Sequence, residues 1–191
     1  MITWEELEEK CRSCEGCPLG KTRTNCVFGT GNRNAELMFV GEAPGEQEDL
    51  TGIPFVGAAG KHLDRHLAAV GIDRDSVYIA NILKCRPPKN RDPLPTEEDA
   101  CMDFLRAQVR LIQPKIIVCL GRIAAMRLID PGFRITANHG KFYERGKFTV
   151  CAVYHPSALL RDPSKNKDMY LDLKAVKERL AAGGRRIAVY D

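Results

Sequence analysis

The sequence predicts an α/β protein, a three-layer α/β/α sandwich around a four-stranded parallel sheet, and three observations lead there. Short runs rich in Val, Ile, Phe and Tyr, at Leu37–Val40, Val77–Leu83, Lys115–Leu120 and Thr149–Tyr154, read as strands buried on both faces. Helical segments alternate with these runs, which implies parallel neighbours joined by crossovers. A chain of 191 residues with 44% hydrophobic content suits one well-filled core, so residues 1–191 are expected to form a single domain.

The elements follow in order. A helix is expected around Trp4–Arg12, then a cysteine-rich stretch from Cys11 to Cys26, then the first strand, closed by a Gly/Pro loop. The next helix, Gly60–Val70, stops at Gly71, a natural C-terminal residue. The second strand opens into the loop Cys85–Pro95, whose four prolines bar it from being helix or central strand. Thr96 is the expected N-cap of a helix running to about Ile112, with Glu97, Glu98 and Asp99 in its first turn. A third strand passes through Gly121 into a helix at Ile123–Leu128, and an amphipathic helix at Met169–Ala181 follows the fourth strand. Gly183-Gly184-Arg185-Arg186 reads as a hinge into a flexible tail over 184–191.

Charge and composition narrow the function classes without choosing one. Twenty-nine basic against 25 acidic residues give a net charge of +4, which permits a nucleic-acid partner without demanding it. Lys84, Arg86, Lys89 and Arg91 cluster, as do Arg161, Lys165 and Lys167. No apolar run approaches the roughly 20 residues of a membrane span, and the acidic start Met1–Glu6 is unlike a secretion signal. The protein is therefore expected to be cytoplasmic, with no membrane partner. Eight cysteines in such a compartment argue for metal ligands rather than a disulfide scaffold.

Gly41-Glu42-Ala43-Pro44-Gly45, Asn81 and His155-Pro156-Ser157 each lie at the end of a strand run. In an open parallel sheet, ligands bind at the carboxyl ends of the strands, so these distant segments converge on one crevice. Glu42, flanked by glycines that let a ligand approach the backbone, is placed to hold a water or face a developing cation. Phe55 reads either as core or as an aromatic plate beneath a flat ligand. Asn81 either satisfies backbone groups or pairs with a uracil edge, accepting from N3–H and donating to O4; cytosine offers the opposite pattern and would leave the amide unpaired. His155 is one of four histidines, and His62, His66 and His139 lack a comparable setting. It could donate to an oxygen that gains negative charge while Ser157 contacts a phosphate.

Cys14-x2-Cys17 with a distant pair would by spacing alone favour structural zinc slightly over iron–sulfur. Cys11-x2-Cys14 is a competing pair, and Cys11-x2-Cys14-x2-Cys17-Pro18 has the spacing of a bacterial ferredoxin run, except that Lys21 stands where its next cysteine belongs. Cys119 and Cys151 lie in strands and read as buried hydrophobes, while Cys26 has no assignment.

Together the motifs carry a resemblance. Arg23-Thr24-Asn25 with Val27-Phe28-Gly29, Gly41–Gly45 with Glu48-Asp49, Pro54–Gly57, Asn81–Pro88 and His155-Pro156-Ser157 resemble family 4 uracil-DNA glycosylases, the iron–sulfur branch of their superfamily, over nearly the whole chain from Cys14 onward. The resemblance implies a monofunctional enzyme that flips deoxyuridine out of DNA, single- or double-stranded, and hydrolyses its N-glycosidic bond. It places Gly41, Ala43, Glu48, Phe55, Asn81 and His155 around the base, Phe55 stacking, Asn81 reading the edge and Glu48 crowding C5 against thymine's methyl. Glu42 would position the water and His155 would stabilise uracil O2, with Asn81 completing the catalytic set.

The resemblance further implies that Ala158–Arg161 enters the minor groove, with Leu159 favoured over Leu160 as the wedge. Arg86, Lys89, Arg91, Ser157 and Arg161 would meet phosphates. It assigns Cys14, Cys17, Cys85 and Cys101 to a 4Fe-4S cluster; tied between two loops that lack enough apolar contacts to order themselves, the cluster reads as structural. The protein is expected to be a monomer, and the sequence names no sliding-clamp partner. Two other readings compete. A uracil-DNA-binding protein without turnover is disfavoured because residues 88–93 hold no histidine and Ala43 replaces the polar residue of that branch; a ferredoxin-like carrier is disfavoured by its single usable cysteine run.

Overall fold

The computed structural model describes residues Ile2–Gly183, so the expected tail over 184–191 lies outside the described residues. Among the described residues the sheet has six strands, β1 (Thr30–Gly31), β2 (Leu37–Gly41), β3 (Tyr78–Asn81), β4 (Ile116–Leu120), β5 (Phe142–Arg145) and β6 (Phe148–Val153). Their order is β1-β3-β2-β4-β6-β5. The four expected strands form its parallel centre, β3-β2-β4-β6. The expectation of a four-stranded parallel sheet is corrected at both margins, where β1 pairs antiparallel with β3 and β5 antiparallel with β6. Strand β1 is two residues long and β5 is half exposed, so neither carries the apolar run that marks a buried strand.

Strands β2, β3 and β4 are buried along their whole length, and β6 along all but its first residue, because side chains alternate between two covered faces. Leu37, Phe39, Ile79, Ile116, Val118, Cys151 and Val153 point to one core with Leu63 and Leu67 of helix α3 (Ala58–Ala69) and Met169, Leu173 and Val176 of helix α8 (Asn166–Ala181). Met38, Val40, Tyr78, Ala80, Ile117, Cys119, Val150 and Ala152 point to the other, with Met102, Leu105 and Ile112 of α4 (Pro95–Ile112) and Ala124 and Ala125 of α5 (Arg122–Leu128). Cys119 and Cys151 are thus core residues, one on each face.

Helix α1 (Trp4–Arg12) starts with Thr3 and Glu6 capping each other's backbone N–H groups. Helix α3 ends as anticipated, the chain leaving it at Gly71 with φ +68°. The start of α4 differs from expectation. Leu94 is the N-cap and Thr96 lies inside the first turn, because Pro95 takes the first helical position, where its missing N–H costs nothing. Glu97 sits three residues after the cap and accepts the Leu94 N–H at 2.9 Å. Three short helices were not anticipated, α2 (Glu46–Thr51), α6 (Ile135–Asn138) and α7 (Pro156–Arg161). No helix among the described residues is long and apolar enough to cross a membrane.

A candidate active site at the strand ends

Strands β2 and β3 run in register, with Gly41 opposite Asn81. The ladder continues past both, Ile82 N–H donating to Gly41 O at 2.9 Å and Leu83 N–H to Glu42 O at 3.0 Å. These bonds hold the two strand ends side by side, and His155 joins them two residues beyond β6. A cleft of about 450 Å³ opens there, lined among others by Glu42, Ala43, Glu48, Phe55, Asn81 and His155. Arg91, Ser157 and Arg161 reach the same cleft.

Asn81 is 1% exposed, its backbone carbonyl takes a hydrogen bond from the Lys84 ammonium at 2.9 Å, and its side-chain Oδ1 has no partner. Gly41 makes room for it: a Cβ there would lie 2.4 Å from Asn81 Oδ1 and 2.6 Å from Phe55 Cζ. Phe55 is both core and cleft wall, 7% exposed and packed in the core on the α3 and α8 side of the sheet. Its backbone is left-handed, φ +54°, and two features hold it so. Glu48 Oε1 accepts the N–H groups of Val56 and Gly57 at 3.0 and 2.8 Å, and Gly60 lets the Phe55 carbonyl come where a Cβ would be 1.8 Å away.

His155 caps α7. Its Nδ1 accepts the Ser157 N–H at 3.1 Å and lies 2.7 Å from Ser157 Oγ. Because a backbone N–H can only donate, the neutral ring carries its proton on Nε2, which has no protein partner. Burial pushes the imidazole down to about 4, with the Arg161 charge adding to the effect and Glu48 opposing it. The ring centroid is 5.8 Å from that of Phe55.

Burial pushes Glu42 up to about 7, helped by the negative charge of Asp92 and opposed by Arg122. Asp92 itself pairs with Arg122 at 3.3 Å. Neither was singled out from sequence, although Arg122 directly follows Gly121 at the end of β4. The same strand-end rule that marks Glu42, Asn81 and His155 applies to it. Asp92 and Asn90, which also lines the cleft, lie in the proline-rich loop, where only a cleft-facing position distinguishes them.

Other expected residues fall elsewhere. Leu159, favoured for the wedge, is 1% exposed and packed in the core, whereas Leu160 is 47% exposed: α7 starts at Pro156, and that start turns position 159 inward. Lys84 does not belong to the surface cluster of charge, being 1% exposed and bonded to Asn81 O and Gln108 Oε1. Arg91 grips Glu97 through two hydrogen bonds of 2.9 and 2.6 Å, Arg86 Nε donates to Asn90 Oδ1, and Lys89 is exposed. Asp49 accepts the N–H groups of Thr24 and Asn25, joining two motifs singled out in the sequence.

Cys14, Cys17, Cys85 and Cys101 line one small cavity, together with Cys11, Arg23 and Lys84. The Arg23 guanidinium donates to Cys85 Sγ at 3.1 Å and Gly16 N–H to Cys14 Sγ at 3.3 Å. Cys11 turns toward Cys26, Sγ to Sγ 3.4 Å, and both are buried. Among the described residues no three His, Cys, Asp or Glu side chains are grouped to hold a single metal ion.

Comparison with known proteins places this architecture. A family model described as the Uracil DNA glycosylase superfamily matches residues 28–177. This chain belongs to that superfamily. It is 48% identical to the type-4 uracil-DNA glycosylase of Archaeoglobus fulgidus over 93% of this chain and 94% of the relative. It is 46% identical to the type-4 uracil-DNA glycosylase of Thermotoga maritima, over 86% and 88% respectively. Similarity to the type-5 uracil-DNA glycosylase of Thermus thermophilus is lower, 30% over 95% of this chain and 91% of the relative. Within the superfamily the chain therefore stands with the type-4 glycosylases.

Proposed function

We propose that the chain excises uracil from DNA, hydrolysing the N-glycosidic bond of deoxyuridine and leaving an abasic site. The observation that carries this reading is Asn81: a buried amide oxygen in the cleft wall, unpaired within the protein, awaits a donor. An acceptor so placed is costly unless a ligand satisfies it, by about 1–3 kcal/mol. Uracil offers N3–H there and cytosine offers a lone pair, so the same atom recognises one base and rejects the other.

The base, extruded at a cost of a few kcal/mol, stacks against Phe55. As the C1′–N1 bond breaks, its electrons pass to the base and gather on O2, where the His155 Nε2–H donates. A neutral imidazole suits this role, since it stabilises the anion without surrendering its proton. Glu42 holds the water that adds to C1′, balances the oxocarbenium-like sugar and takes the water's proton. Electrostatic contributions of this kind are each worth about 3–4 kcal/mol. Glu48 serves twice in this reading, bracing the Phe55 loop with one oxygen and narrowing the cleft against thymine's methyl. Leu160, exposed beside Arg161, is the wedge into the vacated stack, and Lys89 and Arg86 meet phosphates.

We assign Cys14, Cys17, Cys85 and Cys101 to a 4Fe-4S cluster. Four thiols lining one cavity, with N–H and guanidinium donors on two of the sulfurs, fit an anionic multi-iron group better than a single compact ion. Such a cluster would supply metal–thiolate bonds that cross-link residues 14–17 to 85–101. The test is incubation of anaerobically purified protein with a uracil-containing oligonucleotide, followed by alkali and sizing. Strand breaks that appear only after alkali are expected; an intact oligonucleotide or a gel-stable adduct overturns the reading.

A further inference from the structure

Two histidines outside the cleft face each other. His62 and His66 stand four residues apart on α3, hence on one face of the helix. Their Nε2 atoms are 3.3 Å apart, and each is 3.0 Å from Oδ1 of Asn166, the first residue of α8. The rings meet edge to face with centroids 4.8 Å apart. His62 Nδ1 is buried and has no partner.

Whichever ring nitrogen carries the proton, His62 Nδ1 stays buried without a partner. If both Nε2 atoms carry protons and share Asn166 Oδ1, two N–H groups crowd each other and His62 Nδ1 is a buried acceptor without a donor. If His62 carries its proton on Nδ1, that N–H is buried without an acceptor. Protonating both rings sets two cations 3.3 Å apart at Nε2. With each ring's proton on Nδ1, the three converging atoms all present lone pairs to one point.

We propose that His62, His66 and Asn166 form a binding site for one divalent transition-metal ion of the zinc or cobalt class. A tetrahedral ion with bonds of about 2.0–2.1 Å sets its donors roughly 3.3 Å apart. The three separations here, 3.0, 3.0 and 3.3 Å, match a face of such a tetrahedron and leave the fourth corner for water. Two imidazoles select borderline ions over magnesium or calcium, which take oxygen ligands. Coordination puts the remaining His62 proton on Nδ1, so the buried N–H persists and the metal bonds offset it.

The consequence is positional. Helix α3 packs against α7, and Asn166 follows the turn Pro163–Lys165 that leads out of α7. An ion here clips α3 to the start of α8 and so fixes the return of the segment bearing Leu160 and Arg161. The cysteine cavity shares no residue with this site.

The test titrates the chelator-washed protein, its cysteine cluster in place, with Zn²⁺ and separately with Co²⁺, following heat of binding and Tm. One equivalent is expected to bind with a Kd on the order of micromolar and to raise Tm. His62→Ala and His66→Ala each weaken binding at least about tenfold while leaving metal-free uracil excision unchanged. Saturable binding that is equally tight in the His66→Ala protein, or no saturable binding, overturns the proposal. A readout needing no variant is the imidazole ¹⁵N spectrum during Zn²⁺ addition. The Nε2 resonances of two histidines shift together up to one equivalent, and an unmoved spectrum overturns the proposal equally.

Discussion

Asn81 Oδ1 occupies the space that a side chain at Gly41 would need, 2.4 Å from the position of its Cβ. The two residues face each other in register across β2 and β3, so the absent side chain of one is a condition for the orientation of the other. Gly41→Ala must therefore displace the amide or the Phe55 ring. An excision rate about 100-fold lower with the fold retained is expected, measured by single-turnover kinetics alongside circular dichroism. A variant of wild-type rate would remove Asn81 from the role given to it.

In the proposed reaction Glu42 acts as a carboxylate, and since it is pushed up to about 7 it would be protonated and idle below that pH. The single-turnover rate is expected to rise about tenfold per pH unit up to about 7 and then level. Ionising a carboxyl whose folded value is raised costs stability, and that cost grows as pH climbs from its unfolded value to its folded one. Glu42→Gln should thus lose about 10²–10³ in rate, lose the acid limb, and raise Tm at pH 8 relative to wild type. A lowered Tm at that pH would contradict the desolvation account.

His155, held down to about 4 by burial, stays neutral across the working range and adds no ionisation between pH 5 and 8. His155→Ala is expected to cost about 10²–10³ in rate. Ser157→Ala keeps the backbone N–H that fixes the ring's tautomer and should stay within about tenfold of wild type. Were the serine variant as impaired as the histidine one, the hydroxyl would be the acting group.

Adjacent leucines should separate stability from DNA engagement. Leu159→Ala opens the core and is expected to destabilise the fold by about 2–5 kcal/mol in chemical denaturation. Leu160→Ala should leave stability within about 0.5 kcal/mol while slowing excision from double-stranded DNA more than from single strands. Equal slowing on both substrates would refute the wedge.

Cys85→Ala and Cys101→Ala are each expected to purify without brown colour and with a lower Tm. Iron content and visible absorption decide this, and a brown Cys101→Ala protein with full iron would break the ligand assignment.

The parts of this molecule that were legible in the sequence are those governed by burial and chain direction. Leu37–Val40 and its three parallel partners carry apolar runs because both their faces are covered, and their ends locate Glu42, Asn81 and His155. What escaped depends on pairing or on rotation within short elements. Thr30–Gly31 becomes a strand only because β3 lies beside it. The inward turn of Leu159 follows from where a six-residue helix starts. Thr96 had the right chemistry for a cap, but Pro95 takes the first helical position and moves the cap to Leu94, two residues earlier. Asp92 bears on Glu42 from a loop whose path no local pattern describes.

The antiparallel strands at the two margins of the sheet have a consequence for the molecule in a crowded solution. A bare parallel edge at β3 or β6 would present a row of free amide groups to any extended chain nearby. Instead the two residues of β1 cover one side, and the other ends on β5, which carries Glu144 and Arg145 at exposed positions. Heated or concentrated, the sheet of the described residues offers neighbouring copies no long apolar edge to extend.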